Sequence, residues 1–211
     1  LPTRRQRQMC IRDSSYSYVA TQDAADALDS GDVVTDSFNY TVSDGTVTDI
    51  AVIEITVIGI NDSPVADDET GSIGASNTLT VTDGTSDLLH GDTDVDASAS
   101  LNITSIVATT AGGSATAVTQ LTSYNSGYTS VTGSYGTLRI GADGTYQYIA
   151  GSSGGTDVFT YTLSDGAATD TGTLTITVTN SAPVAADNTG TINENATCLL
   201  YTSDAADESV S

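Results

Sequence analysis

The sequence predicts an all-β fold in which antiparallel β-sandwich repeats follow one another in tandem. The stretch from 36 to 66 recurs, with substitutions, at 157–185, and self-similarity at a fixed spacing is typical of tandem arrays. In both copies, apolar residues alternate with polar ones, which indicates strands that bury one face. No segment of comparable length has the 3.6-residue period of an amphipathic helix.

The repeated stretch predicts a β-hairpin. Alternation places Phe38, Tyr40 and Val42 on one face of its first strand, and an Asp-Gly pair follows. That pair predicts a type I′ turn, whose central residues need positive φ. The hairpin copies are offset by 121 residues. The matched residues are Phe38 and Phe159, Tyr40 and Tyr161, Asp44 and Asp165, Gly45 and Gly166, Ile55 and Ile176, and Val57 and Val178.

Runs of β-branched and aromatic residues predict further strands at 78–82, 101–108, 137–140 and 145–149. Many short strands separated by Gly, Asp and Ser turns are typical of a sandwich. The Asp-x-Phe-x-Tyr pattern in both copies also resembles the tyrosine corner of immunoglobulin-like sandwiches. We interpret these aromatic residues as structural, filling the core or forming such a corner.

The two ends of the chain differ in composition from its Thr-, Gly- and Asp-rich middle. Residues 5–13 (RQRQMCIRD) and 198–207 (CLLYTSDAAD) can be encoded by one DNA string read on opposite strands, and that string resembles a sequencing-library adapter. We therefore expect 1–14 and 198–211 to be adapter artefacts and exclude them from reasoning about the fold.

The repeat boundaries follow from the ends of the two hairpins. An Asn-x-x-Pro stretch after each hairpin indicates a junction, because proline ends the pairing of a strand. The predicted segments are the C-terminal part of one repeat at 15–60, a junction at 61–64, a complete repeat at 65–179, a second junction at 180–183 and the start of a third repeat at 184–197.

Charge restricts the classes of partner. The chain has 27 acidic and five basic residues, giving a net charge of −22, and Arg139 is the one Lys or Arg between 15 and 197. Such an excess repels nucleic acid and anionic membranes, and no apolar run approaches the ~20 residues that span a bilayer. We expect neither a nucleic-acid partner nor membrane insertion of this segment. Both cysteines lie in the terminal segments, so no disulfide framework is predicted.

The acidic residues cluster around the first junction and predict a calcium site. Calcium takes 6–8 oxygen ligands, so it needs several carboxylates from different segments. The candidate ligands are Asn61, Asp62, Asp67, Asp68, Glu69, Asp92, Asp94 and Asp96. The alternative is that these are solvated acidic turns. An EF-hand is excluded, because counting from Asp92 puts Ala97 at position 6 and Ile103 at position 12.

Catalysis has little support in the sequence, and we expect no enzymatic activity. There is no nucleophile elbow, metal-binding histidine pair or phosphate loop. Tyrosines between 124 and 148 could present flat apolar rings to a sugar, with Tyr124 and Tyr128 as the candidates. The alternative is that these tyrosines pack in the core.

The segments DSFNYTVSDG and ITVIGINDSPVA resemble the VCBS-type, cadherin-like tandem repeats of large bacterial surface or secreted, RTX-like adhesins. Asn61-Asp62-x-Pro64 is similar to the calcium-binding linker of cadherins, and the acidic triplet that begins at Asp92 is similar to the paired-Asp loop of the following domain. The second junction departs from this pattern, since Asn180 is followed by serine instead of aspartate.

The resemblance implies immunoglobulin/cadherin-like sandwiches strung end to end and stiffened by calcium at their junctions. It implies an extracellular or cell-surface protein that works in adhesion, in biofilm or as a stalk. Its partners would be neighbouring repeats of the same chain and a cell-surface protein or glycan. The alternative is a carbohydrate-binding or accessory module of a secreted enzyme.

Overall fold

The computed structural model describes residues 10–12, 15–21, 23–82, 84–180, 191 and 193–194. These residues are nearly all β, which confirms the predicted fold class. The second junction beyond Asn180, nearly all of 184–197, and the terminal segments apart from 10–12 lie outside the described residues. The elements are β1 (Cys10–Arg12), β2 (Ser15–Ser17), α1 (Asp23–Asp26), β3 (Val33–Ser43), β4 (Thr48–Ile58), β5 (Glu69–Gly74), β6 (Thr78–Val81), β7 (Asn102–Ala108), β8 (Thr116–Ala117), β9 (Thr129–Thr132), β10 (Gly136–Ile140), β11 (Tyr146–Ala150), β12 (Gly155–Ser164) and β13 (Thr169–Thr179).

Two sheets form a sandwich between residues 65 and 179. One has the strand order β6-β11-β10-β9, and the other has the order β5-β13-β12-β7-β8. Their inward-facing residues make one hydrophobic core, as the period-two pattern requires. Its largest fully buried side chains include Tyr146, Tyr148, Phe159 and Tyr161. No helix among the described residues is long and apolar enough to cross a bilayer.

The first copy of the hairpin, β3–β4, forms a separate two-stranded sheet. Its register matches that of β12–β13: Phe38 lies opposite Ile53 just as Phe159 lies opposite Leu174. The aromatic residues differ in burial, because Phe159 is fully buried whereas Phe38 is half-buried. Equal sequence patterns therefore give equal hairpins, and the surrounding strands decide how much of each is covered.

The turns of both hairpins correct the type I′ prediction. Four residues separate the strands, and only the glycine of the Asp-Gly pair has positive φ, 91° at Gly45 and 102° at Gly166. The aspartate instead accepts hydrogen bonds from the backbone. Oδ1 of Asp44 lies 2.8 and 2.9 Å from the amide nitrogens of the second and third residues after it, and Asp165 makes the same pair of bonds. A type I′ turn would have two residues with positive φ. Here one residue has it, and the hydrogen-bonded aspartate side chain stabilises the rest of the turn.

One pairing departs from the predicted antiparallel arrangement. β5 runs parallel to β13, with Glu69 opposite Leu174, because the chain enters the sandwich at the end where β13 begins. The segment 69–74 reads ETGSIG, and its two glycines hide any alternation. The pairing places Glu69 at the end of the sheet that faces the first junction.

Candidate metal centre

Backbone pairing holds the first junction against an acidic loop. Val65 and Thr93 form an isolated antiparallel bridge, with N···O distances of 2.7 and 3.0 Å. Two residues further along, the amide of Asp67 donates to Oδ1 of Asp92 at 2.9 Å. The amide of Ala66 donates to Asp170 Oδ2 at 3.0 Å. These bonds bring 65–69 and 92–96, which are distant in sequence, to the same place.

Three of the predicted ligands converge there. Asp67, Glu69 and Asp92, here called the acidic triad, each offer a carboxylate oxygen within 4.8 Å of the others. Asp67 and Glu69 share a side because side chains two apart in extended backbone point the same way. Asp68 points elsewhere: its Oδ1 accepts hydrogen bonds from the amide and hydroxyl of Thr173, both at 2.9 Å.

The hydroxyl of Tyr161 lies at the base of the acidic triad. It donates to the backbone carbonyl of Asp67 at 2.8 Å, and it lies 3.3 Å from both Glu69 Oε1 and Asp92 Oδ1. The interpretation of this tyrosine as core-filling is therefore incomplete. The side chain is fully buried, but its polar end contacts the predicted ligands.

The surroundings of the triad disfavour the ionised form of two of its carboxyl groups. Burial, followed by the close approach of the Asp67 carboxylate and the charge of Asp92, raises the pKa of Glu69 to about 9. Burial, with a smaller contribution from the Asp67 carboxylate, raises the pKa of Asp92 to about 6, although the hydrogen bonds from the Asp67 amide and the Tyr161 hydroxyl act in the opposite direction. At neutral pH the triad accordingly retains a proton on Glu69 unless a cation takes its place.

A second group of predicted ligands lies beside the triad. The amide of Asp62 donates to Asp96 Oδ2 at 2.9 Å, and the amide of Asp96 donates to Asp94 Oδ1 at 2.9 Å. Burial and the neighbouring carboxylates of Asp96, Asp26 and Asp94 raise the pKa of Asp62. Asp96 is only 8% exposed. Asp62, Asp94 and Asp96 therefore lie together, and they are here called the linker acids.

Unpartnered buried oxygens mark both groups. Within the described part of the chain, four buried side-chain nitrogen or oxygen atoms lack a hydrogen-bond partner, and all four are carboxylate oxygens at this junction: Glu69 Oε2, Asp92 Oδ2, Asp94 Oδ2 and Asp96 Oδ1. Native proteins pair such atoms with few exceptions, and a bound ion or an ordered water is a standard reason for an exception.

A sequence model described as the bacterial cadherin-like domain matches residues 61–180. The chain belongs to this family. The matched range includes the first junction, both acidic groups and the complete sandwich, so the cadherin-like part of the resemblance is confirmed.

The chain also has a weak structural likeness to two solved hydrolases. The solved endo-fucoidan hydrolases MfFcnA4 and MfFcnA9, both from glycoside hydrolase family 107, are similar to the chain at 21% and 14% identity, with TM-scores of 0.30 and 0.27. The matches cover 82% and 69% of this chain and 22% of each hydrolase chain. At these TM-scores the likeness carries no argument about activity. No curated protein matches this chain.

Side chains from outside the two acidic groups also tie the cadherin-like domain to the chain before it. Asn61 donates from Nδ2 to the backbone oxygen of Asp62 and, at 2.8 Å, to Asp165 Oδ2 in the β12–β13 turn. Asp29, just after α1, accepts hydrogen bonds from the Ser98 amide at 3.0 Å and the Ser98 hydroxyl at 2.5 Å. Sequence reasoning missed the Asp29–Ser98 contact, because neither residue lies in a recognisable motif.

The candidate sugar-binding tyrosines lie in the loop before β9. Tyr124 is half-buried, and its amide donates to Thr145 Oγ1 at 3.0 Å. Tyr128 is 40% exposed, and the guanidinium carbon of Arg139 lies 4.9 Å from its ring centroid. One face of that ring is therefore occupied by a cation–π contact. Sugar binding by these residues stays a prediction.

Proposed function

We propose that this chain is a calcium-stiffened segment of an extracellular bacterial adhesin, acting structurally between neighbouring repeats of one protein. The single observation that carries the proposal is the set of four buried, unpartnered carboxylate oxygens at the first junction. Family membership supports it, and so does the scarcity of basic residues, since Arg139 is the one Lys or Arg between 15 and 197.

The residues at the junction fit a hard cation with a flexible oxygen shell. The acidic triad would hold one ion, and the linker acids would hold a second. Calcium accepts irregular sets of carboxylate and carbonyl oxygens, whereas magnesium demands a near-octahedral set at shorter distances. When bound, the ion supplies positive charge that offsets the repulsion among these carboxylates and replaces the proton held by Glu69.

Stiffening follows from where the ligands lie along the chain. Asp62 belongs to the junction, Asp67 and Glu69 to the entry of β5, and Asp94 and Asp96 to the loop before β7. An ion in the acidic triad would fix the entry of β5 against the loop that contains Asp92, and an ion among the linker acids would fix the junction against the same loop. The Asp29–Ser98 contact carries that restraint to the preceding repeat. The adhesive partner, which we propose to be a cell-surface protein or glycan, would then meet an extended and rigid stalk.

Calcium is expected to raise the melting temperature of the chain above its value in chelator. Extracellular calcium modules have dissociation constants of about 10⁻⁴–10⁻³ M, so 10 mM calcium should stabilise the folded state by ~1.4–2.7 kcal/mol for each ion bound. This corresponds to a rise of roughly 5–15 °C in a domain of this size. Differential scanning calorimetry measures it, with magnesium as the control ion. Identical curves with calcium and with chelator would refute the proposal.

Neutralising ligands should remove the calcium response. Asp92→Asn combined with Asp94→Asn takes one carboxylate from each acidic group, and we expect it to abolish most of the calcium-induced rise. Asp44→Asn is the matched control, because asparagine can still cap the β3–β4 turn and this residue lies outside both groups. A full calcium response in the double variant would show that these carboxylates do not bind the ion.

A further inference from the structure

We propose that Tyr161 is a positioning residue for the acidic triad, and that Gly172 is the residue that lets a repeat of this type form the triad at all. The inference rests on the proposed calcium function. It adds the structural feature that determines which repeats can form the calcium-binding triad. It is carried by one cross-strand pair, Tyr161 opposite Gly172, and by its counterpart in the first hairpin.

Gly172 leaves the space that the triad needs. A Cβ at this position would lie 2.3 Å from the backbone oxygen of Asp67 and 2.4 Å from the hydroxyl of Tyr161. Both distances are well below van der Waals contact, and the first is to backbone, which cannot turn aside as a flexible side chain would. Glycine is required here for the close approach of two chain segments. Any side chain would separate Tyr161 from the 67–69 segment.

The first hairpin has the tyrosine but lacks this space. Tyr40 corresponds to Tyr161 and pairs with Ala51, the counterpart of Gly172. A segment equivalent to 65–69 laid over Tyr40 as Asp67 is laid over Tyr161 would collide with the alanine methyl. The two hairpins therefore share their fold and differ in the ability to build the triad. A repeat with alanine at this position forms the sandwich without this site.

The Tyr161 hydroxyl fixes the triad from a rigid base. Its ring is fully buried in the core, so the hydroxyl has little freedom. By donating to the Asp67 carbonyl at 2.8 Å, it holds the backbone just before β5 in the position from which the Asp67 and Glu69 side chains lie close to Asp92. Ligands that a rigid neighbour holds in place lose less entropy when they bind. Tyr161 thus acts on the ion through the carboxylates and not as a necessary ligand itself.

The first test compares Tyr161→Phe with Tyr40→Phe in the full chain. Phenylalanine keeps the ring and removes only the hydroxyl. We expect Tyr161→Phe to weaken calcium binding about 10-fold, the scale seen for residues that orient metal ligands, and Tyr40→Phe to leave it unchanged. Isothermal titration measures the affinity. Terbium luminescence gives a second readout, since a tyrosine next to the bound ion sensitises its emission, and Tyr161→Phe should remove most of that signal.

The second test exchanges the paired small residues. Gly172→Ala should weaken calcium binding at least as much as Tyr161→Phe, whereas Ala51→Gly should leave it unchanged. Melting in chelator identifies any variant that fails to fold, and the isosteric Tyr161→Phe keeps the test decisive if Gly172→Ala does. Wild-type affinity in Tyr161→Phe would overturn the positioning role while leaving the calcium function intact. Absence of calcium binding by the wild type would overturn both.

Discussion

Replacing Asp157 with alanine is expected to lower the free energy of unfolding by ~3–5 kcal/mol, because a buried acceptor of three hydrogen bonds is lost. Asp157 is 1% exposed. Its carboxylate accepts from the amide of Ser134 at 2.7 Å, the amide of Tyr135 at 3.0 Å and the hydroxyl of Tyr148 at 2.6 Å. Alanine would leave these donors without a partner in a site that water enters poorly.

Asp36 provides a matched control for this effect. It occupies the same position in the first hairpin and accepts a hydrogen bond from Tyr18 at 2.8 Å, but it is only half-buried. Water can replace the lost acceptor there, so Asp36→Ala should cost about 1 kcal/mol or less. Urea unfolding of both variants, monitored by tyrosine fluorescence, measures the difference. Equal losses would show that burial of the Asp157 network is not what makes it stabilising.

The two networks share a further similarity that a sequence comparison at a fixed offset misses. Tyr18 and Phe38 meet edge to face with centroids 6.1 Å apart, and Tyr148 and Phe159 do so at 6.2 Å. These two tyrosines are the last residues of Tyr-Ser-Tyr at 16–18 and Tyr-Gln-Tyr at 146–148. This third repeated element escaped a fixed-offset comparison, because the loop that contains α1 is longer than its counterpart and shifts the spacing.

The sandwich itself could be predicted because its strands bury one face, which leaves a period-two pattern in the sequence. The hairpins, four further strands and the all-β class followed from that pattern. The strands β5, β8 and β9 did not, because they are short, mixed in polarity or interrupted by glycine. The parallel pairing of β5 with β13 depends on where the chain enters the fold, and no local pattern records that.

The candidate site was predictable in part for a similar reason. Clustered acids near a junction are visible in a sequence, so Asp67, Glu69 and Asp92 could be nominated together. Their contact with Tyr161 could not be foreseen, because a strand tyrosine with a core-facing ring has the same pattern whether its hydroxyl ends among carboxylates or not. The role of Gly172 depends on how closely the backbone of Asp67 approaches it, since a Cβ at 172 would lie 2.3 Å from the Asp67 backbone oxygen.

Metal-free protein is expected to lose stability as the pH rises from about 5 to about 9, which is unusual for a protein so rich in acids. The folded state raises the pKa of Glu69 to about 9, against an ordinary value of 4.5. Ionising this group is therefore harder in the folded state than in the unfolded chain. Its contribution is fully present below pH 4.5 and disappears as the pH approaches 9. Asp92, with a pKa raised to about 6, adds to the loss at the acidic end of this window.

Because Glu69 is only half-buried, solvent screening reduces the effect, and we expect a loss of ~1–3 kcal/mol across the window. Chemical unfolding of calcium-stripped protein at several pH values measures it, with Glu69→Gln as the variant whose profile should keep only the smaller loss from Asp92 at the acidic end. Carboxyls with lowered pKa values, such as Asp44 and Asp170, lose their contribution only near pH 4 and below, outside this window. Saturating calcium should flatten the wild-type profile, because the ion favours the ionised triad that the folded protein otherwise disfavours. A wild-type profile that is flat or rising in chelator would show that the triad carries no buried charge for a cation to offset.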